Sequence, residues 1–196
     1  MTLRPLLVLS GLLLLADVAG AQTARRQFAD IPWGSNATAV KAGMRRLSLT
    51  LKEQDDAGDL RFDGLLAGRK AIVYALLNAQ DQLTKIQVSV ITEDAQAIRV
   101  WEAISSDLSE RYGKPTLGGR FFNDPYREGD GHEEQAVRRG QATLTYLWGD
   151  DPAALGPDDA SVITTVTEAL NVQIVYESGR WPADSRRRKA GAVKVF

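Results

Sequence analysis

The chain contains no cysteine and a single histidine among its 196 residues. The first absence removes thiol nucleophiles, thiolate metal sites, iron–sulfur clusters and disulfides. The second removes a three-histidine zinc site built within one chain. His132 opens the stretch "HEEQA", which starts like the metalloprotease signature H-E-x-x-H, but position 136 is Ala and the second ligand is missing. No G-x-S-x-G turn offers a serine nucleophile, and "SSDLSE" falls on a helical pattern. "LLAGRKA" lacks the spacing and the Ser or Thr of a phosphate-binding loop. No cofactor is therefore expected. Two carboxylates suffice for glycoside hydrolysis, and with 25 acidic residues that chemistry stays open.

The longest apolar run lies at the start. Arg4 gives a weakly basic opening, Leu6 to Ala16 form a Leu-rich stretch, and Ala19-Gly20-Ala21 supplies a small-residue cleavage signal. That is the layout of a secretory signal peptide over residues 1–21. The run is too short to span a bilayer, which takes about 20 apolar residues. No transmembrane segment is expected after cleavage, and the mature chain would begin at Gln22. A chain of this length buries enough surface to fold without disulfides. The expected location is the bacterial periplasm or the exterior.

The net charge of −1 hides an uneven spread. Residues 179–196 carry Arg180, Arg186, Arg187, Arg188, Lys189 and Lys194 against one acid, Asp184. This reads as a basic, solvated end, with Arg186, Arg187, Arg188 and Lys189 as candidate contacts for an anionic envelope component. Nucleic acid is not an expected partner.

Residues 22–178 read as one α+β domain with possible halves at 28–91 and 92–178. Ser35 is placed to cap a first helix, along which Val40, Met44 and Leu47 share one side. Gly43 weakens that helix, and "LKEQDDAGD" reads as a loop. Leu60 and Phe62 then alternate with polar residues, "KAIVYALL" suggests a central strand, and "LTKIQVSVI" alternates cleanly. A second helix starts at Thr92 or Asp94 and carries Ile98, Trp101, Leu108 and Tyr112 as a stripe, ending at Gly113 before Pro115. "GRFF", "ATLTYLWG", "SVITTVTE" and "LNVQIVYES" supply further strands, with a helical turn over Glu133 to Arg139. The order is α-β-β-β-α-β-β-β-β. It implies two helix-plus-antiparallel-meander units with their helices on one face of the sheet.

"QFADIPWGSNATAV" raises a separate question, since Trp33 sits between Pro32 and Gly34. Beside a proline, Trp33 is a candidate surface for a sugar or a peptide. It is equally an apolar clasp with Phe28 and Ile31, closing the core like a hydrophobic staple. The structural role is the one expected. In the loop 123–134, "NDPYREGDGHEE", the residues Asp130, His132 and Glu134 are candidate ligands for a divalent ion. The D-x-D-x-D-G calcium framework is absent, and a solvated polar loop is the plainer reading.

"FADIPWGSNATAV", a meander, "YGKP" closing a long helix and "VYES" ending a strand together resemble a type of exported bacterial protein. The element order also resembles the helix-plus-meander domains of outer-membrane assembly lipoproteins and of the β-lactamase inhibitor protein. The resemblance is one of topology over most of the mature chain, and it transfers no functional residue. Those lipoproteins need a lipid-bearing Cys and the inhibitor has disulfides, neither of which exists here. The expected function is a non-catalytic periplasmic binding protein for an envelope protein or anionic envelope component. The alternatives are an exported hydrolase or metal-binding protein centred on residues 123–134, and an inhibitor of a secreted enzyme.

Overall fold

The computed structural model describes residues 25–93 and 96–193. The predicted leader lies outside them, as do Asp94 and Lys194. The chain runs through helix α1 (Ala37–Arg46), strands β1 (Thr50–Gln54), β2 (Leu60–Leu66), β3 (Arg69–Leu77) and β4 (Leu83–Val90), and helix α2 (Ala97–Tyr112). Strand β5 (Leu117–Phe122), short helix α3 (Glu133–Arg138), strands β6 (Ala142–Trp148), β7 (Ala160–Val166) and β8 (Val172–Ser178), and helix α4 (Trp181–Val193) follow. The fold is α+β. All eight strands form one antiparallel sheet in the order β1-β2-β3-β4-β8-β7-β6-β5. No helix among the described residues is long and apolar enough to cross a membrane.

Alternation along the strands divides the sheet into two faces. On the core face, Phe62 pairs with Val73, Val73 with Val88, Val88 with Ile174, and Ile174 with Thr164. Most residues pointing this way are buried, among them Leu60, Phe62, Val73, Ile86, Val88, Val162 and Trp148. Helix α2 lies on this face. Its Trp101 stacks on Tyr146 with ring centres 4.9 Å apart, and the indole N–H donates to the Thr164 hydroxyl at 3.1 Å. The buried indole thus keeps its one polar group satisfied.

Several local features depart from expectation. Asn36, not Ser35, caps α1, its side chain accepting from the Ala39 amide at 2.9 Å. Gly43 is buried because Ile31 packs against it: a Cβ there would meet the Ile31 side chain at 2.7 Å. The glycine that weakens the helix also lets the clasp close. Helix α2 begins at Ala97, and the Thr92 hydroxyl instead donates to the Leu170 carbonyl. The stretch read as a loop supplies β1, an edge strand exposed along its whole length. With no face buried, its sequence never alternates. Lys52, Glu53 and a register shift between Leu51 and Glu53 guard this open edge.

The largest departure is the basic segment, which forms α4 rather than a solvated end. Its Arg188 donates to both Asp59 oxygens at 2.6 and 2.8 Å, to the Leu77 carbonyl at 2.7 Å and to Asp184 at 2.8 Å. Asp184 is only 3% exposed and also accepts from Arg187 at 2.9 and 2.7 Å and from the Thr84 hydroxyl at 3.3 Å. One guanidinium therefore ties α4 to the β1–β2 turn and to the end of β3. Trp181, at the start of α4, has the Lys85 ammonium 4.5 Å from its ring centre. Lys85 pairs with Glu177, and both point away from the core face. Thus α4 closes one end of the sheet, where Asp184 meets Thr84 at the start of β4 and Arg188 meets the end of β3.

Burial works to raise the Asp184 carboxyl, but hydrogen bonds from Arg188 and Arg187 outweigh it and hold the group below its ordinary 3.8. A depressed carboxyl stabilises the fold above its unfolded value and loses that contribution as pH falls through the folded one. Urea unfolding at stepwise lower pH is expected to show stability falling below about pH 4, with a shallower fall in Asp184→Asn. At neutral pH, Arg188→Ala is expected to cost about 2–4 kcal/mol, since it takes one of two guanidinium partners from buried Asp184 and removes the Arg188 bonds to Asp59.

Candidate functional site

The second face of the sheet is left largely open by α1 and α2. Register partners trace a row across it: Arg61, Tyr74, Gln87, Val175, Ile163, Leu147 and Leu117. A neighbouring row runs Asp63, Ile72, Ser89, Gln173, Thr165, Thr145 and Gly119. Phe121, beside Thr143, lies beyond Gly119 on the same face. Most of these residues are half-buried or exposed.

The chemistry of this face is uneven. Charges concentrate on the β2–β3 wing, where Arg61 and Asp63 pair at 3.3 Å and Lys70 stands beside Leu65. From β4 across to β5 the only charged side chains are Lys85 and Glu177, joined at 2.8 Å where Trp181 of α4 meets them. The rest is Gln, Ser, Thr, Val, Ile, Leu, Gly and Phe. This uncharged tract is five strands wide, roughly 19 Å at the usual strand spacing. A quarter of the chain is charged, so such a tract is unusual for its surface. Of the six large apolar side chains exposed among the described residues, Leu65, Tyr74, Leu117 and Phe121 all leave the sheet on this face. Leu117 and Phe121 are the most prominent on β5, at 68% and 58% exposed. Between them Gly119 has no side chain, and the Phe121 ring lies over it, 3.5 Å from where a Cβ would stand. An open, charge-poor face with aromatic and aliphatic protrusions suits a protein contact, whose buried centre is depleted in charge.

The residues singled out from sequence sit elsewhere. Trp33 is 5% exposed, its indole N–H donates to the Arg26 carbonyl at 3.0 Å, and it belongs to the core. It is a clasp, unavailable to a sugar or peptide. Of the four basic candidates, Arg188 is spent on Asp59 and Asp184, and Arg187 on Asp184. Arg186 and Lys189 are exposed. The polar loop does not gather a metal site. Both Asp130 oxygens accept backbone N–H groups, from Arg127 at 2.9 Å and His132 at 2.7 Å. Those bonds also lower the Asp130 carboxyl from its ordinary value. Glu133 accepts from the Gly129 amide at 2.9 Å. Among the described residues, no group of three His, Asp or Glu side chains is placed to hold a metal ion.

A cleft of about 540 Å³ between α2 and β5 is lined by Tyr146, Ser105, Ser109, Lys114 and Arg120. Arg120 lies 5.7 Å from the Trp101 ring centre and pairs with Glu102 and with Glu128, so its charge is already met. Of the cleft's serines, Ser105 shares a hydrogen bond with the Thr164 hydroxyl at 3.3 Å and Ser109 donates to the Ser105 carbonyl at 2.8 Å.

Comparison of the chain with family models, with curated proteins and with solved structures finds no match. The site therefore stands on its own geometry. Adding calcium or zinc is expected to leave the thermal midpoint unchanged, and a rise abolished by Asp130→Ala would contradict this account of the loop.

Proposed function

We propose that the chain is an exported, non-catalytic binding module that takes a protein of the cell envelope on the open face of its sheet. The observation that carries the reading is the uncharged tract from β4 to β5, crowned by Leu117 and Phe121. Association gains most from burying apolar surface, and a tract without charges needs little desolvation. Export rests on the leader over residues 1–21, and the periplasm is the location it favours.

The architecture supports this use. We read the sheet as two units, α1 with β1 to β4 and α2 with β5 to β8, joined where β4 meets β8. Each unit's helix covers the core face, so the other face is left open outside the corner where Trp181 meets Lys85 and Glu177. The inhibitor alternative uses the same surface and differs only in the partner's identity. The hydrolase alternative rests on the cleft of about 390 Å³ that His132, Glu133 and Glu134 line with Arg99, Glu102 and Arg120, where Asp130 and Glu133 are already bonded to backbone amides of the turn.

Charged substitutions at Leu117 and Phe121 discriminate. Leu117→Lys and Phe121→Lys are expected to change stability by no more than about 0.5 kcal/mol, because both side chains are exposed. A partner held from envelope extract by the parent chain is expected to be lost from the double variant. Retention of every captured protein by that variant would reject the open face as the contact.

A further inference from the structure

On the opposite side from the open face, α1 and β1 flank a cleft of about 330 Å³ lined by Lys41, Arg45, Leu49, Thr50, Leu51 and Phe62. That volume is at the lower end of the small-ligand range, roughly 300–1,000 Å³. Phe62 and Leu49 are buried, and Leu51 is 40% exposed with no apolar cover. Leu51 pairs with Phe62, so both belong to the core face.

The charges at its mouth are the informative feature. Lys41 and Arg45 are one helical turn apart on α1, an arrangement that costs an isolated helix about 0.2–0.5 kcal/mol. Among the described residues no carboxylate pairs with either. Lys41 donates to the neutral Gln54 amide oxygen at 2.7 Å, which ties α1 to β1 and leaves the ammonium unneutralised. Other surface cations also lack a carboxylate partner among the described residues; these two are set apart by lining one cleft together with Leu49, Leu51 and Phe62. Two uncompensated cations over an apolar cleft complement a ligand with one anionic head and one apolar chain.

We propose that the α1–β1 cleft binds a free single-chain carboxylate of the fatty-acid class. The head lies between Lys41 and Arg45, and the chain runs along Leu51 towards Leu49 and Phe62. The site is independent of the open face.

The test is titration of the purified protein with decanoate below its micelle threshold, followed by amide chemical shifts and calorimetry. Saturable binding is expected, with the shifts centred on residues 41–51 and 62. Lys41→Gln with Arg45→Gln is expected to weaken it at least about tenfold, as loss of charge-assisted contacts does. Leu51→Asp is expected to weaken it similarly. All of these positions except buried Leu49 and Phe62 tolerate change, so thermal midpoints check that the variants fold. Leu117→Lys with Phe121→Lys is expected to bind decanoate unchanged, which separates this site from the open face. Undiminished binding by the double glutamine variant overturns the proposal. So does acetate binding as tightly as decanoate, which would leave the chain no role. Attachment to phosphatidylglycerol vesicles without decanoate binding overturns it too, since the surface would then read a membrane.

Discussion

The structure depends on the pairing of β4 with β8. Six register pairs, from Lys85 with Glu177 to Val90 with Val172, join strands about ninety residues apart in sequence. Closing so long a loop is entropically costly, and it is compensated only when the rest of the sheet forms with it. The pairing also sets parity. A slip of one residue would turn Ile86 and Val88 out of the core and Gln87 and Ser89 into it. Every other strand is registered, directly or through neighbours, on this central pair.

Parity at the joint is what makes a single open face. Because Gln87 faces Val175, and Val175 faces Ile163, the outward residues of both wings lie on one surface. Had the joint been out of register, the uncharged outward residues of β5 to β8 would lie on the face bearing α1. The tract is thus a consequence of one long-range pairing acting on several ordinary strand patterns. No single strand contains it.

This explains what was legible in the sequence. Helix α2, the β7–β8 hairpin and the clasp around Trp33 are local patterns, and each carries its own signal: a stripe, an alternation, a proline beside an aromatic. The polar strand β1 carries none, because burial never selected its residues. The open face was equally invisible. "LGGRFF" and "ATLTYLW" show alternating outward residues, but which of these strands share a surface depends on register. The basic segment misled for a different reason. Composition counts charges, whereas Arg188 is decided by Asp59, far away in sequence, and by the buried Asp184.

That contrast separates two kinds of cation on this molecule. Arg188 pairs with carboxylates in a partly buried setting, where electrostatic attraction is strong and a planar guanidinium satisfies several acceptors at once. Its charge is consumed in holding α4 to the sheet and is not free for a partner. Lys41 and Arg45 stand on a short helix beside a strand that buries nothing, and among the described residues no acid pairs with them. The second group also serves the fold in part, Lys41 through its bond to Gln54 and Arg45 through its place in the last turn of α1, but its charges stay unneutralised beside an exposed apolar side chain. One ligand with an anionic head and an apolar chain would neutralise those charges and cover Leu51 at the same cleft.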